Sequence, residues 1–141
     1  MTLRWSQNFD LKKLSEDALK RLHIGFDRAI QGEVREIVKR TQDGRDIFNR
    51  PFEPYSPEYF KFKTTRGRTG DVDLTFTGKM LGAMTSKVER VANKLVGVIS
   101  FNNKIDGAKA RGNMQRRKFF GFAEEQLQRL LEKLGDALNE R

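Results

Sequence analysis

Apolar residues recur at steps of three and four from Asp10 to Thr41, where Leu11, Leu14, Ala18, Leu22, Phe26, Ala29, Val34, Ile37 and Val38 fall on one stripe. That period predicts a long amphipathic helix over about 10–41. Asp10 suits its N-cap, and the "TQDG" run at 41–44 supplies its stop, with Gly44 fit for a left-handed C-terminal position. About thirty-two residues at about 1.5 Å each would span roughly 48 Å, against a diameter of roughly 37 Å for a compact chain of this length. Either the helix kinks at Gly25 or Gly32, or its overhang packs on another subunit.

The period returns near the C-terminus, where Leu127, Leu130, Leu131, Leu134 and Leu138 predict a helix over about 123–139. Between the two helices, "DVDLTFT" alternates Val72, Leu74 and Phe76 as a half-buried strand does. Thr77 can then cap one or two helical turns in "TGKMLGAM". "SKVERVANKLVGVISF" reads as two strands around a tight turn at Asn93 and Lys94, with Gly97 marking a bulge or a close backbone approach. The sheet is thus expected over about 71–101. Residues 102–117 hold two glycines, many charges and little apolar content, which predicts a mobile basic linker. The order predicts an α+β fold in one domain, 1–141, with the long N-terminal helix and the C-terminal helix packed over a small antiparallel sheet.

One segment breaks the regular patterns. "RPFEPYSPEYFKFK" (50–63) gathers Phe52, Tyr55, Tyr59, Phe60 and Phe62 with all three prolines. Ser56, Pro57 and Glu58 have the chemistry of an N-cap, a first-turn proline and a first-turn acid, so a short helix starts there. The rings are expected to close one end of the core. Tyr59 is the anchor, turned inward while Glu58 and Lys61 face solvent, and Phe119, Phe120 and Phe122 meet the rings from the C-terminal side.

Composition narrows the chemistry. Without cysteine there is no disulfide, thiolate nucleophile or sulfur-ligated metal. The missing cysteines fit a protein made and assembled in a reducing cytoplasm, and no apolar run suits a secretion signal or a membrane span, so neither standard secretion nor membrane embedding is expected. His23 stands alone, and "TGKM" fails the phosphate-loop pattern at Asp73 and Met80. Asp71 and Asp73 share a strand face but lack a third ligand. No catalytic set can be assembled, so neither enzyme activity nor a cofactor, metal or small-molecule substrate is expected. The formal net charge of +9 predicts attraction to polyanions. Its excess lies in 61–68 and 104–118, making Arg66, Arg68, Lys104, Lys109, Arg111, Arg116, Arg117 and Lys118 candidate contacts to a partner or to DNA.

Three stretches in order, "DGRDIFNRPFEPYSPEYFKFK", "VDLTFTGKMLGAM" and "RRKFFGFAEEQLQRLLEKL", resemble the tail-completion, or virion-morphogenesis, family of tailed bacteriophages. The residues that carry the likeness are Gly44, Phe52, Pro54, Ser56, Pro57, Tyr59 and Lys63, then Thr77, Gly78, Met80 and Leu81, then Arg117, Phe119 and Gly121. Arg116 stands where that family often has a proline, and 102–117 lacks its histidine- and glycine-rich element. The resemblance makes Phe52, Tyr55, Tyr59, Gly78, Phe119 and Gly121 motif and core anchors. It implies a structural virion protein at the head–tail junction, assembled in the host bacterial cytoplasm as a homo-oligomeric ring, a hexamer or dodecamer, around the DNA path. Its partners would be other neck, connector or tail proteins, with transient DNA contact. The alternative from charge alone is a free basic nucleic-acid-binding protein using Lys104 to Lys118 as a phosphate patch, with phenylalanines for stacking.

Overall fold

The computed structural model describes residues 1–6, 10–72, 74 and 78–139. In chain order these form β1 (Thr2–Ser6), a 3-10 turn (Leu11–Lys13), α1 (Glu16–Gln42), α2 (Pro57–Thr65), α3 (Lys79–Gly82), β2 (Met84–Val91), β3 (Lys94–Phe101), α4 (Lys104–Met114) and α5 (Glu124–Asn139). The three strands make one antiparallel sheet in the order β1-β3-β2, with α1 and α5 packed against it, the α+β class that the periodicities predict. The chain groups into two compact units. The sheet unit comprises Thr2–Arg35, Thr85–Ser100 and Phe122–Arg141. The loop unit comprises Met1, Glu36–Met84 and Phe101–Gly121.

In the sheet unit, β1 sets Leu3 opposite Ile99 and Trp5 opposite Gly97. Gly97 leaves its inward position bare. A Cβ there would lie 2.6 Å from Ile30 Cδ1 and 2.9 Å from Phe26 Cε2, so the glycine lets α1 press against the sheet. Trp5 meets Phe26 edge to face at 5.5 Å. Leu22, Phe26, Ala29 and Ile30 of α1 share this core with Leu95 and Ile99 and with Leu130, Leu134 and Ala137 of α5, all buried. Each large side chain so removed from water contributes roughly 1.5–3 kcal/mol. Gly25 serves the same end, since a Cβ on it would stand 2.6 Å from Ala137 Cβ. The helix runs on through Gly25 and Gly32, so these glycines serve packing and do not end it. Buried Glu33 accepts hydrogen bonds from Gln126 Nε2 at 2.9 Å and from Arg129, linking α1 to the start of α5.

The strand pattern and caps differ from expectation in four places. Asp10 caps the 3-10 turn by accepting from Lys12 N–H, and Leu14 then goes extended, so α1 begins only after Ser15, whose Oγ accepts from Ala18 N–H. The strand that joins β2 and β3 in the sheet is β1, while the strand expected over 71–77 falls largely outside the described residues. Of that stretch, Asp73, Thr75, Phe76 and Thr77 lie outside the described residues, while Leu74 adopts φ 55°, which no strand continues. The cap position of α3 belongs to Gly78 at φ 80°. The hairpin turn sits at Ala92 and Asn93, with the positive φ, 52°, on Ala92; Asn93 instead donates to the Asp10 carboxylate.

In the loop unit, Gly44 takes φ 79° just past α1, as its place in "TQDG" predicts. The expected mobile linker is instead mostly helix, α4. Asn103 caps it by accepting from Asp106 N–H at 2.8 Å, and its buried face is Asp106, Gly107 and Ala110. A buried face of small and polar residues has no apolar periodicity to detect; of the two large apolar residues of α4, Ile105 is exposed and Met114, at its last position, is half-buried.

Two substitutions test this packing by chemical denaturation. Gly97→Ala is expected to lose about 1–3 kcal/mol by overpacking against Ile30 and Phe26. Ala92→Gly is expected to gain about 1 kcal/mol by relieving the left-handed backbone.

Candidate functional site

Within the loop unit the first two resemblance segments and residues 116–121 of the third come into contact. Phe52 N–H donates to the Gly44 carbonyl at 3.0 Å, and Ile47 N–H donates to the Lys118 carbonyl at 2.9 Å. Gly121 lies against Ile47, where an added Cβ would come within 3.1 Å. Arg117, only 8% exposed, donates from Nε to the Glu53 carbonyl at 2.9 Å and from Nη2 to the Pro54 carbonyl at 3.1 Å. A guanidinium is always charged and has five donors in a fixed fork, so it stays buried only where acceptors are aligned to meet it. Arg40, at the end of α1, treats the other side of the turn alike, with Nη2 donating to the Phe119 and Gly121 carbonyls at 2.9 and 3.0 Å.

Tyr55 joins these elements. Its ring lies 4.8 Å from the Arg117 guanidinium and 5.1 Å from Lys63 Nζ, and its hydroxyl accepts from Leu74 N–H at 3.1 Å. Lys63 is 1% exposed and donates to the Asp71 carbonyl. The face of an electron-rich ring attracts both cations, the more so away from water.

Lys63 is turned inward, and the rings of α2 lie nearer the surface. Ser56 caps it as predicted, by accepting from Tyr59 N–H at 3.2 Å. Tyr59 is 36% exposed, Phe60 49% and Phe62 41%. The expectation that these three rings close the core, with Tyr59 as anchor, is therefore corrected. Tyr59 and Phe60 stand four and three residues before Lys63, on the same side of the helix, yet it is the cation that goes deeper, where the Asp71 carbonyl and the Tyr55 ring receive it. The exposed rings are ordered nonetheless. Tyr59 packs edge to face on Tyr55 at 4.7 Å and stacks on Phe62 at 5.9 Å, while the Arg66 guanidinium covers Phe62 at 3.6 Å. Phe60 lies over Gly70, where no side chain intervenes. Among the other anchors, Phe52 and Phe119 are buried.

The cationic candidates divide. Arg117 is a buried strut, which corrects its reading as a partner or DNA contact. Lys104, Lys109, Arg111, Arg116 and Lys118 are exposed, as are Arg66 and Arg68. The two basic stretches lie in and around α2 and α4 and are not simply loops. Lys79, Lys109, Arg116 and Arg117 line one cavity of the loop unit. Sequence reading missed Arg40 and Lys79, which stand inside mixed-charge or weakly patterned stretches.

A second feature belongs to the sheet unit. Leu19, His23 and Ile24 of α1 with Arg90 and Leu95 line a groove of about 530 Å³, and Ile24 is exposed there. Beside it on β2, Lys87 Nζ hydrogen-bonds Glu89 at 2.6 Å and lowers that exposed carboxyl below its ordinary pKa. Among the described residues no group of three histidine, cysteine or acidic side chains could hold a metal ion, and no helix is long and apolar enough to cross a membrane.

The division between strut and surface is open to measurement. Phe119→Ala is expected to lose about 3–5 kcal/mol, the loss usual for deleting a buried ring. Tyr59→Ala is expected to lose only about 1 kcal/mol, chiefly its ring contacts. Comparison with known protein families, curated proteins and solved structures finds no match to this chain.

Proposed function

We propose that this chain is a non-catalytic structural subunit of a tailed-phage or prophage virion, acting in tail completion or head–tail joining as part of a homo-oligomeric ring around the DNA path. One observation carries the reading. The segments that resemble that family are far apart in sequence, yet the first and third are tied through Arg117 and the Ile47–Lys118 backbone hydrogen bond, and the middle one meets the first where Leu74 N–H donates to the Tyr55 hydroxyl. What they buttress is an exposed row of rings, Tyr59, Phe60 and Phe62, capped by Arg66. Aromatic and arginine side chains held in fixed positions are the residues that dominate the energetics of protein contacts.

A ring needs two unlike surfaces on each subunit, so that contacts run head to tail and close. The chain has an aromatic projection in α2 and a groove along α1 where Leu19, Ile24 and Leu95 are bordered by Glu16, Lys20, His23 and Arg90. In this reading the first enters the second on the neighbouring copy. The exposed cations of α4 favour a second reading, a free nucleic-acid-binding protein, which requires salt-sensitive DNA binding by the monomer.

Sedimentation velocity over rising protein concentration, with negative-stain images, tests the proposal. Closed rings are expected. Combining Tyr59→Ala with Phe62→Ala is expected to raise the concentration needed for assembly by more than about tenfold, since two anchors are removed, while the variant still unfolds cooperatively. A chain that stays monomeric throughout and binds DNA at submicromolar concentration in physiological salt would overturn the assembly reading in favour of the second.

A further inference from the structure

The two ends of the β2–β3 hairpin fix which backbone groups of β2 face outward. Ala92 and Asn93 alone join the strands, so Val91 and Lys94 close the hairpin as a hydrogen-bonded pair. At the other end Asn102 N–H donates to the Ala83 carbonyl at 2.9 Å, in the same register. Hydrogen-bonded positions recur every second residue in an antiparallel pair. Thr85, Lys87, Glu89 and Val91 therefore turn their N–H and C=O groups to β3, while Ser86, Val88 and Arg90 turn theirs away from it. Among the described residues no strand pairs with that outer side, since the sheet order is β1-β3-β2. Residues 85–91 belong wholly to the sheet unit. An edge of this kind is a ready template for another strand. The side chains identify that strand. Lys87 and Glu89 form an ion pair at 2.6 Å, and Glu89 lies 3.8 Å from Arg4 of β1. Arg4 stands opposite Val98, so this charged group occupies the sheet face away from Gly97 and α1.

We infer that β2 pairs antiparallel with β2 of a second copy of this chain, about a two-fold axis at Val88, joining the two sheets into one. In that register Ser86, Val88 and Arg90 exchange backbone hydrogen bonds with Arg90, Val88 and Ser86 of the second copy. Lys87 falls opposite Glu89 of the second copy, and Glu89 opposite Lys87. These are non-hydrogen-bonded positions, where facing side chains stand closest. Moving the axis by one residue either way sets Lys87 against Lys87 or Glu89 against Glu89, and like charges directly opposite are destabilising. The charge pattern thus selects both the occupant and the register. An edge carrying lysine alone would repel its own copy. The contact is isologous and closes at two copies. It engages the backbone edge and outer face of β2 and not the rings of α2, so it stands apart from the ring proposal.

Sedimentation equilibrium tests the pairing on the full chain carrying Tyr59→Ala and Phe62→Ala, which weakens the proposed ring contact and leaves β2 untouched. A monomer–dimer equilibrium is expected. Adding Lys87→Glu turns two attractive pairs into two repulsive ones, and so does adding Glu89→Lys. Each alone is expected to raise the dimer dissociation constant by at least about tenfold. An equal mixture of the two chains is expected to recover the original constant within about threefold, because one then presents two acids where the other presents two lysines. Spin labels read the register without altering these charges. They are placed on Thr85→Cys and, separately, on Val91→Cys, in a chain that has no other cysteine. Both positions lie three residues from the axis, so both are expected to show the same separation between copies, roughly 20 Å along the strands. A chain that stays monomeric up to about 0.5 mM, or a mixture that dimerises no better than either variant alone, overturns the inference. So do label separations that differ by more than about 10 Å, as an axis shifted by one residue would give. Ring formation is judged on the parent chain, so its outcome is separate.

Discussion

Arg117 sets the terms for the loop unit. Its charge cannot be removed by deprotonation, so burial obliges the surrounding chain to supply acceptors. The segment that supplies them is the one least able to use its own carbonyls. Pro51, Pro54 and Pro57 lack N–H groups and interrupt any helix or strand, so Glu53 and Pro54 have no regular partner for their carbonyls. The guanidinium and the proline-rich turn satisfy each other, and Tyr55 closes the arrangement by offering its ring face to Arg117 and Lys63 together. Removing either partner would strand a charge or two carbonyls away from water.

The direction of α2 follows from this. Lys63 is drawn in to the Asp71 carbonyl and the Tyr55 ring, while Phe60, Phe62 and part of Tyr59 stay at the surface. These rings have close neighbours in Tyr55, Arg66 and Gly70. Ordered rings lose little further freedom on contact, which favours association. Arg40 extends the same logic to the 117–121 turn. The sheet unit achieves its rigidity differently, through bare backbone at Gly25 and Gly97 that lets helix, helix and sheet approach closely.

What could be read from the sequence was whatever depended on periodicity or a local cap. α1, α5, the β2–β3 hairpin, the left-handed Gly44 and the Ser56 cap are each encoded within a few neighbouring residues. β1 escaped notice because five residues with Leu3 and Trp5 inward are too short for alternation to stand out, and its pairing partner lies at the other end of the chain. α4 escaped because its inner face is Asp106, Gly107 and Ala110. The site was half legible. Its segments were marked by unusual composition, but the rule that rings go inside and cations outside inverts here. Only the three-dimensional meeting of Lys63 and Arg117 with distant carbonyls and Tyr55 reveals that inversion.

The central claim is that the Arg117 guanidinium fixes the segment that presents the aromatic rings. Amide hydrogen exchange on Arg117→Lys, which keeps the charge but loses the two-pronged donation, addresses it directly. The account predicts faster exchange than in the parent across 53–62, where the α2 start loosens, with protection in β3 and the first half of α1 unchanged. Unaltered exchange across 53–62 in a variant that folds normally would contradict it, since the aromatic surface would then be held by something other than this buried cation.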